Sequence, residues 1–192
     1  MNTLAAAPDT CTEVPFDLPV RDSVLTRSFA QSPFIPDNQH ELETRCEEIL
    51  HMQAAGLATR MQHARCKTAV IGLSGGLDST LALVVTVHAF DLLGIDHSGI
   101  HAVTMPCFGT TTRTKSNAMR LAEAYSASLH TVDIKASVNQ HFTDIGHSWD
   151  NHNVTFENAQ ARTRTLVLMD LANEFGGMVI GTGDLSELAL GW

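Results

Sequence analysis

Apolar positions along this chain follow two alternating periods. After Pro36, Asn38 followed three residues on by Glu41 gives a capping-box signal. Leu42, Cys46, Ile49, Leu50, Leu57 and Met61 then recur at roughly helical spacing, which predicts a long amphipathic helix with its stripe against the core. From Lys67 short β-rich runs alternate with helical stretches. TAVIGL reads as a buried strand, 78–93 as a helix closed by Gly94, GIHAVTM as the next strand, and 111–127 as a helix. SLHTVDI is a third strand, 137–145 a short helix, 156–175 a long one, and GMVIGT a fourth strand. The alternation predicts an α/β fold, a doubly wound parallel sheet with helices on both faces, in which ligands sit beyond the carboxyl ends of the strands. Residues 1–37 hold five of the six prolines and little periodicity, so they read as an irregular arm or linker ahead of a folded domain at 38–192. After the last strand come only a polar turn and LALGW. Four strands are few for such a sheet, so the domain is expected to be incomplete at its C-terminal side.

Composition narrows this picture. In 192 residues, 44% hydrophobic and 17% charged positions suit a globular chain with one substantial core. The longest apolar runs, such as LALVVTV, are too short and interrupted to span a bilayer, and MNTLAAAPDT lacks the features of a signal peptide. A cytoplasmic protein without a membrane partner is therefore expected. A formal net charge of −9 with no run of Lys and Arg argues against a nucleic-acid partner, while leaving room for a small anion held by local donors. Cys11, Cys46, Cys66 and Cys107 are widely spaced, with no C-x-x-C pair to form a zinc ribbon or redox dithiol.

The stretch GLSGGLDST follows the first strand and opens a helix. A helix N-terminus presents unpaired N–H groups and the positive end of a dipole, which suits phosphate. Gly75 and Gly76 remove Cβ atoms that would obstruct close approach, and Ser74 and Ser79 add hydroxyl groups. Asp78 is the exception, because a carboxylate beside polyphosphate is repulsive unless a divalent cation bridges the two; its presence predicts Mg²⁺. The lysine of the G-x-x-x-x-G-K-[ST] loop is absent, which weakens a γ-phosphoryl-transfer reading. Gly72 to Gly76 also satisfies G-x-S-x-G, the serine-hydrolase elbow. Against that stand the lack of an earlier strand to carry an oxyanion loop and the lack of a histidine beyond the last strand.

SGGLDS with its preceding strand resembles the pyrophosphate loop of the N-type ATP pyrophosphatases, whose adenine nucleotide alpha hydrolase-like fold the resemblance implies here. Within that family, PFIPDNQHELETRCEEIL, MPCFGTTTRT, VDIKASVNQHFTDIGH, FENAQARTR and GTGDLSELALGW are similar to the glutamine-dependent NAD⁺ synthetases, over about residues 33 to 192. The resemblance implies an ATP-dependent ligase. Deamido-NAD⁺ and ATP give an adenylated carboxylate and pyrophosphate, and ammonia then displaces AMP. It also implies ammonia from glutamine, a nitrilase-like glutaminase domain ahead of this one, more chain after LGW, and a homo-oligomer. Another member of the family, such as a tRNA thiolase, is the alternative, opposed by the acidic charge and the absence of paired cysteines.

Because the substrate's carboxylate is the nucleophile, no protein nucleophile is expected. The resemblance implies ATP contacts from Gly72, Leu73, Ser74, Gly75, Gly76, Leu77, Asp78 and Ser79, and from Thr182 past the fourth strand. Asp78 and Glu187 are expected to hold Mg²⁺, with Glu187 also at the substrate. Asn158 and Arg162 lie four apart on one helical face and are expected at deamido-NAD⁺, whereas Arg164 shares a face with Glu157 and is expected in an ion pair with it. Trp192 is expected at the nicotinate moiety. Cys107 replaces the glycine more usual in the MPxFGT loop. Simpler readings apply elsewhere. His141, Asp144, His147 and His152 suit surface or capping roles better than a metal site, and His88 and His101, within apolar runs, read as core histidines. Glu187 and Asp78 are also in positions where an acid merely complements a helix dipole.

Overall fold

The computed structural model describes residues 14–20, 22, 24, 26–108 and 112–191, with side chains for all of these except 112–115. The chain separates into two units, Met1–Asp37 and Asn38–Trp192. The second unit carries the fold.

It opens with α1 (Gln39–Ala64), β1 (Ala69–Gly72) and α2 (Leu77–Leu93). A short 3₁₀ turn leads into β2 (Ile100–Thr104), α3 (Thr112–Ala124), β3 (Ser128–Thr131) and α4 (Lys135–Asp144). α5 (Val154–Glu174), β4 (Met178–Ile180) and α6 (Leu185–Leu190) complete it. All strand pairs are parallel and the order is β3-β2-β1-β4. The sheet therefore grows outward from β1 in one direction for β2 and β3, and in the other for β4. The reversal places a crevice between the carboxyl ends of β1 and β4, where doubly wound sheets hold ligands.

Strand periodicity sorts the core. Ala69, Ile71, Ile100 and Ala102 face α1, α2 and α3, packing with Met61, Leu83, Phe90 and Ala118. Val70 and Val103 face the other way, against Ala172 and the partly buried Leu168, Leu171 and Phe175 of α5. Phe90 and Ile71 are fully buried, and each such side chain contributes about 1.5–3 kcal/mol. Helices on both faces of a parallel sheet are thus observed as the alternation predicts. Among the described residues, no helix is long and apolar enough to cross a membrane.

Several details differ from the sequence reading. The buried residues of α1 are Ala54, Ala58 and Met61, with Ala54 and Ala58 clustering on Ala89 of α2. Small residues let the two backbones approach closely, so the expected stripe is buried at Met61 and partly at Leu42, Leu50 and Leu57, while Cys46 and Ile49 are exposed. The Asn38 side chain accepts a hydrogen bond from the His40 amide at 2.9 Å rather than from Glu41. β3 stops at Thr131 because Asp133 accepts from the Lys135 amide at 2.9 Å, a local turn that starts α4 two residues ahead of Ser137. His88 is exposed on α2, which corrects its reading as a core histidine.

β4 is tied closely to the start of β1. The Thr68 hydroxyl donates to the Phe175 carbonyl at 2.9 Å, and a Cβ on Gly177 would lie 2.5 Å from the Thr68 carbonyl oxygen. Only glycine allows that approach, and it fixes β4 beside β1.

Candidate functional site

The turn between β1 and α2 is built by hydrogen bonds among its own residues. Gly75 has φ +80°, in the region that favours glycine, and reverses the chain after Ser74. The Gly76 amide donates to the Ser74 hydroxyl oxygen at 3.2 Å, and the hydroxyls of Ser74 and Ser79 lie 3.0 Å apart in a hydrogen bond. Ser79 is buried and its hydroxyl donates to the Gly76 carbonyl at 3.2 Å, which the Thr80 hydroxyl also reaches at 2.7 Å. Ser79 therefore shapes the turn from beneath.

Gly76 is the N-cap of α2 and has no side chain with which to cap it. The first-turn N–H groups of a helix have no intrahelical acceptor, so α2 begins with an open set of donors at the positive end of its dipole. Asp78 sits in that first turn, exposed, with no hydrogen-bond or ion-pair partner among the described residues. Gly72 and Leu73 have structural work. A Cβ on Gly72 would lie 3.1 Å from Leu168 Cδ1, and Leu73 is buried with its amide donating to the Val103 carbonyl at 2.8 Å. Leu77, by contrast, is largely exposed.

A cleft of ≈ 640 Å³ opens beyond the carboxyl end of β4, walled by α1, α2 and the segment that leads into α6. Asp78 and Leu81 of α2 line it on one side, Gly181, Thr182 and Asp184 on the other, and Gln53 of α1 closes it. Asp78 and Thr182, distant in sequence, are thereby brought to one cavity. Glu187 is not among its lining residues. Its carboxylate accepts from the Asp184 amide at 3.0 Å, while Asp184 Oδ1 accepts from the Glu187 amide at 2.9 Å, a reciprocal capping box that closes the N-terminus of α6. The helix-terminal role of Glu187 is the one these hydrogen bonds establish.

Asn158 and Arg162 lie exposed in the N-terminal half of α5. Since α5 feeds the start of β4, that half lies toward the carboxyl edge of the sheet. Neither residue lines the Asp78 cleft. No ion pair joins Glu157 to Arg164, which corrects that expectation. Trp192 and residues 109–111 of the MPCFGTTTRT segment lie outside the described residues. Cys107 is buried with Ile134, Val138, Phe142 and Ala159, so its side chain helps fill the core between α4 and α5.

The nucleophile-elbow reading finds no support in the geometry. Among the described residues Ser74 is hydrogen-bonded to Ser79 and the Gly76 amide, with no histidine. The histidines after α4 have local uses: His147 bonds the Asn151 carbonyl at 3.0 Å and His152 stacks on Phe156. Asp144 accepts from Gln140 at 2.7 Å.

Sequence reasoning missed two features. His101 and His130, on neighbouring strands, hydrogen-bond at 3.0 Å, and His101 stacks on Phe175 with ring centroids 3.9 Å apart. Burial, and then the charge of His130, push the His101 pKa below the ordinary histidine value. The other feature is a second cleft, lined by Gly75 of the turn and by Asn117 and Arg120 of α3. Spacing along the chain carries no signal for either, because each depends on which elements the sheet makes neighbours.

The acidic turn residue suits Mg²⁺, which binds through one or two carboxylates plus substrate phosphates. Asp78 offers an unengaged carboxylate at the mouth of the open helix terminus. Glu187 has one oxygen engaged by Asp184.

Comparison with known proteins adds to this geometry. The family model described as NAD synthase matches residues 49–192. The glutamine-dependent NAD(+) synthetase of Mycobacterium tuberculosis (strain H37Rv) is 43% identical over 180 residues, 92% of this chain and 26% of the relative. The NH(3)-dependent NAD(+) synthetase of Trichlorobacter lovleyi is 35% identical over 126 residues, 66% of this chain and 43% of the relative. Among solved structures, the glutamine-dependent NAD+ synthetase of Acinetobacter baumannii in complex with ADP superposes with a TM-score of 0.68 at 30% identity, covering 75% of this chain and 27% of that one. The chain thus spans about a quarter of the length of the glutamine-dependent relatives it matches.

Proposed function

This chain belongs to the NAD synthase family, and from that premise we propose that it is the ATP-handling part of a ligase that amidates deamido-NAD⁺ to NAD⁺. In the first step the substrate carboxylate oxygen attacks the α-phosphorus of ATP. The bond to the β-phosphate breaks, pyrophosphate leaves, and the carboxylate is held as its adenylate. Ammonia then attacks the carbonyl carbon and AMP departs with the electron pair. Neither step needs a protein nucleophile, so the protein's part is positioning and charge stabilisation.

The observation that carries the proposal is the uncapped N-terminus of α2, behind the Gly75–Gly76 turn and beside the crevice between β1 and β4. Its open N–H groups and the Ser74 hydroxyl receive the phosphates, with Ser79 holding the turn in shape. Thr182 meets ATP from the other wall of the cleft. Asp78 and Glu187 hold Mg²⁺, and the ion, when bound, offsets negative charge on the phosphates. Asn158 and Arg162 receive deamido-NAD⁺, and Trp192 its nicotinate end.

Residues 38–192 act as the synthetase domain and 1–37 as a linking arm. In the natural protein we place a glutaminase domain ahead of the arm as the ammonia source, a homo-oligomeric assembly, and a cytoplasmic location.

The test is chromatography of the full-length protein with MgATP, deamido-NAD⁺ and ammonium. Equal amounts of AMP and NAD⁺ are expected. ADP as the nucleotide product, or an untouched dinucleotide, would refute the assignment.

A further inference from the structure

We propose that Arg120 of α3 is the cation that receives the pyrophosphate end of the nucleotide on the far side of the Gly75 turn from Asp78; this rests on the function proposed above. The turn is flanked by two cavities with no lining residue in common. One is the cleft with Asp78 and Thr182. The other, ≈ 600 Å³, has Gly75 and Thr80 on one wall and Asn117, Arg120 and Glu123 on the other. A carboxylate therefore stands on one side of the turn and a guanidinium on the other.

A second cation on this side would favour the departure of pyrophosphate. When the bond between the α- and β-phosphates breaks, the bridging oxygen leaves with the electron pair and pyrophosphate gains negative charge. The turn itself has no lysine or arginine, and the chain as a whole carries a formal net charge of −9. Apart from the Mg²⁺ ion assigned to the Asp78 side, only backbone donors and hydroxyls of the turn would face this charge unless a basic side chain came from another element.

Arg120 is exposed and, among the described residues, has no hydrogen-bond or ion-pair partner. Long side chains on a helix lean toward its N-terminus. α3 follows β2, so its N-terminal end is at the carboxyl edge of the sheet, where the turn also lies. By that tendency Arg120 would reach toward the Gly75 wall of the cavity that both residues line. Glu123 lies one turn further from that end, and so does not stand between the guanidinium and the turn. Asn117, one turn nearer, adds a neutral side-chain donor on the same wall. The planar guanidinium suits bidentate phosphate binding.

The experiment measures binding of inorganic pyrophosphate, with Mg²⁺, to the full-length protein and its Arg120→Ala and Arg120→Lys variants by calorimetry. Melting temperature and the KM for deamido-NAD⁺ are measured alongside. Arg120→Ala is expected to weaken pyrophosphate about tenfold, as for loss of a charged hydrogen bond, with the melting temperature and that KM unchanged. Arg120→Lys is expected to recover part of the loss. Equal affinity in wild type and Arg120→Ala, or no pyrophosphate binding by wild type, would overturn the proposal. NAD⁺ formation by wild type is scored separately, so the functional assignment and the role of Arg120 can fail independently.

Discussion

The turns that follow the neighbouring parallel strands β1 and β4 lead into helix termini that are finished in opposite ways. After β1, α2 starts at Gly76 without a side-chain cap, and its donors are left open. After β4, α6 starts at Asp184 within a complete capping box. A ligand must be bound by groups that the fold leaves unsatisfied, and of these two helix termini only the first is left without a side-chain cap. The second turn supplies a wall, with Thr182 on it, rather than a terminus. The difference lies in a few residues: a glycine pair removes both the cap and the Cβ atoms in one place, while Asp-x-x-Glu satisfies the terminus in the other.

The largest effect is expected from the open turn. Asp78→Asn should reduce NAD⁺ formation by at least about a hundredfold while leaving the melting temperature unchanged, because its carboxylate has no partner in the fold. Gly75→Ala should destabilise the turn by about 1–2 kcal/mol through its positive φ, measured by denaturant unfolding, and weaken ATP binding with it.

The closed turn can be dissected by separating cap from charge. Asp184→Ala should cost about 1 kcal/mol of stability through loss of the cap. Glu187→Gln keeps an acceptor for the Asp184 amide, so stability should hold. If Glu187 also holds Mg²⁺, that variant needs about tenfold more Mg²⁺ for half-maximal rate. An unchanged Mg²⁺ requirement would confine Glu187 to the cap and make the contrast between the turns complete.

The smallest effect lies away from both turns and serves as a control. The folded-state pKa of His101 is lowered, so the unfolded chain binds its proton more readily. The stability His101 contributes is fully present above the unfolded value, about 6.5, and is lost as pH falls through the lower folded value. His101→Gln should flatten that acid-side decline in a urea-denaturation series without altering the difference between the turns.

Much of the fold is legible in the sequence because period is local information. The strands and helices from TAVIGL to GMVIGT lie close to where alternation puts them, and SGGLDS marks the open turn by residue type alone. The burial of α1 is less legible, since Ala54 and Ala58 matter through their closeness to Ala89 rather than through hydrophobicity. The end of β3 was readable only as an Asp133 side-chain turn, which competes with a continuous apolar pattern. Arg120 and the His101–His130 pair carry no signal in the chain, because strand order makes their neighbours. Glu187 is legible as an acid at a helix N-terminus, but its capping box with Asp184 emerges only from the hydrogen bonds.

The most direct test of the account follows the oxygen atoms. Deamido-NAD⁺ labelled with ¹⁸O in its nicotinate carboxylate is turned over by the full-length protein with MgATP and ammonium, and the products are weighed by mass spectrometry. The account predicts one ¹⁸O in AMP and none in pyrophosphate, since the carboxylate oxygen that attacks the α-phosphorus leaves with AMP. Label in pyrophosphate or inorganic phosphate, with unlabelled AMP, would contradict it.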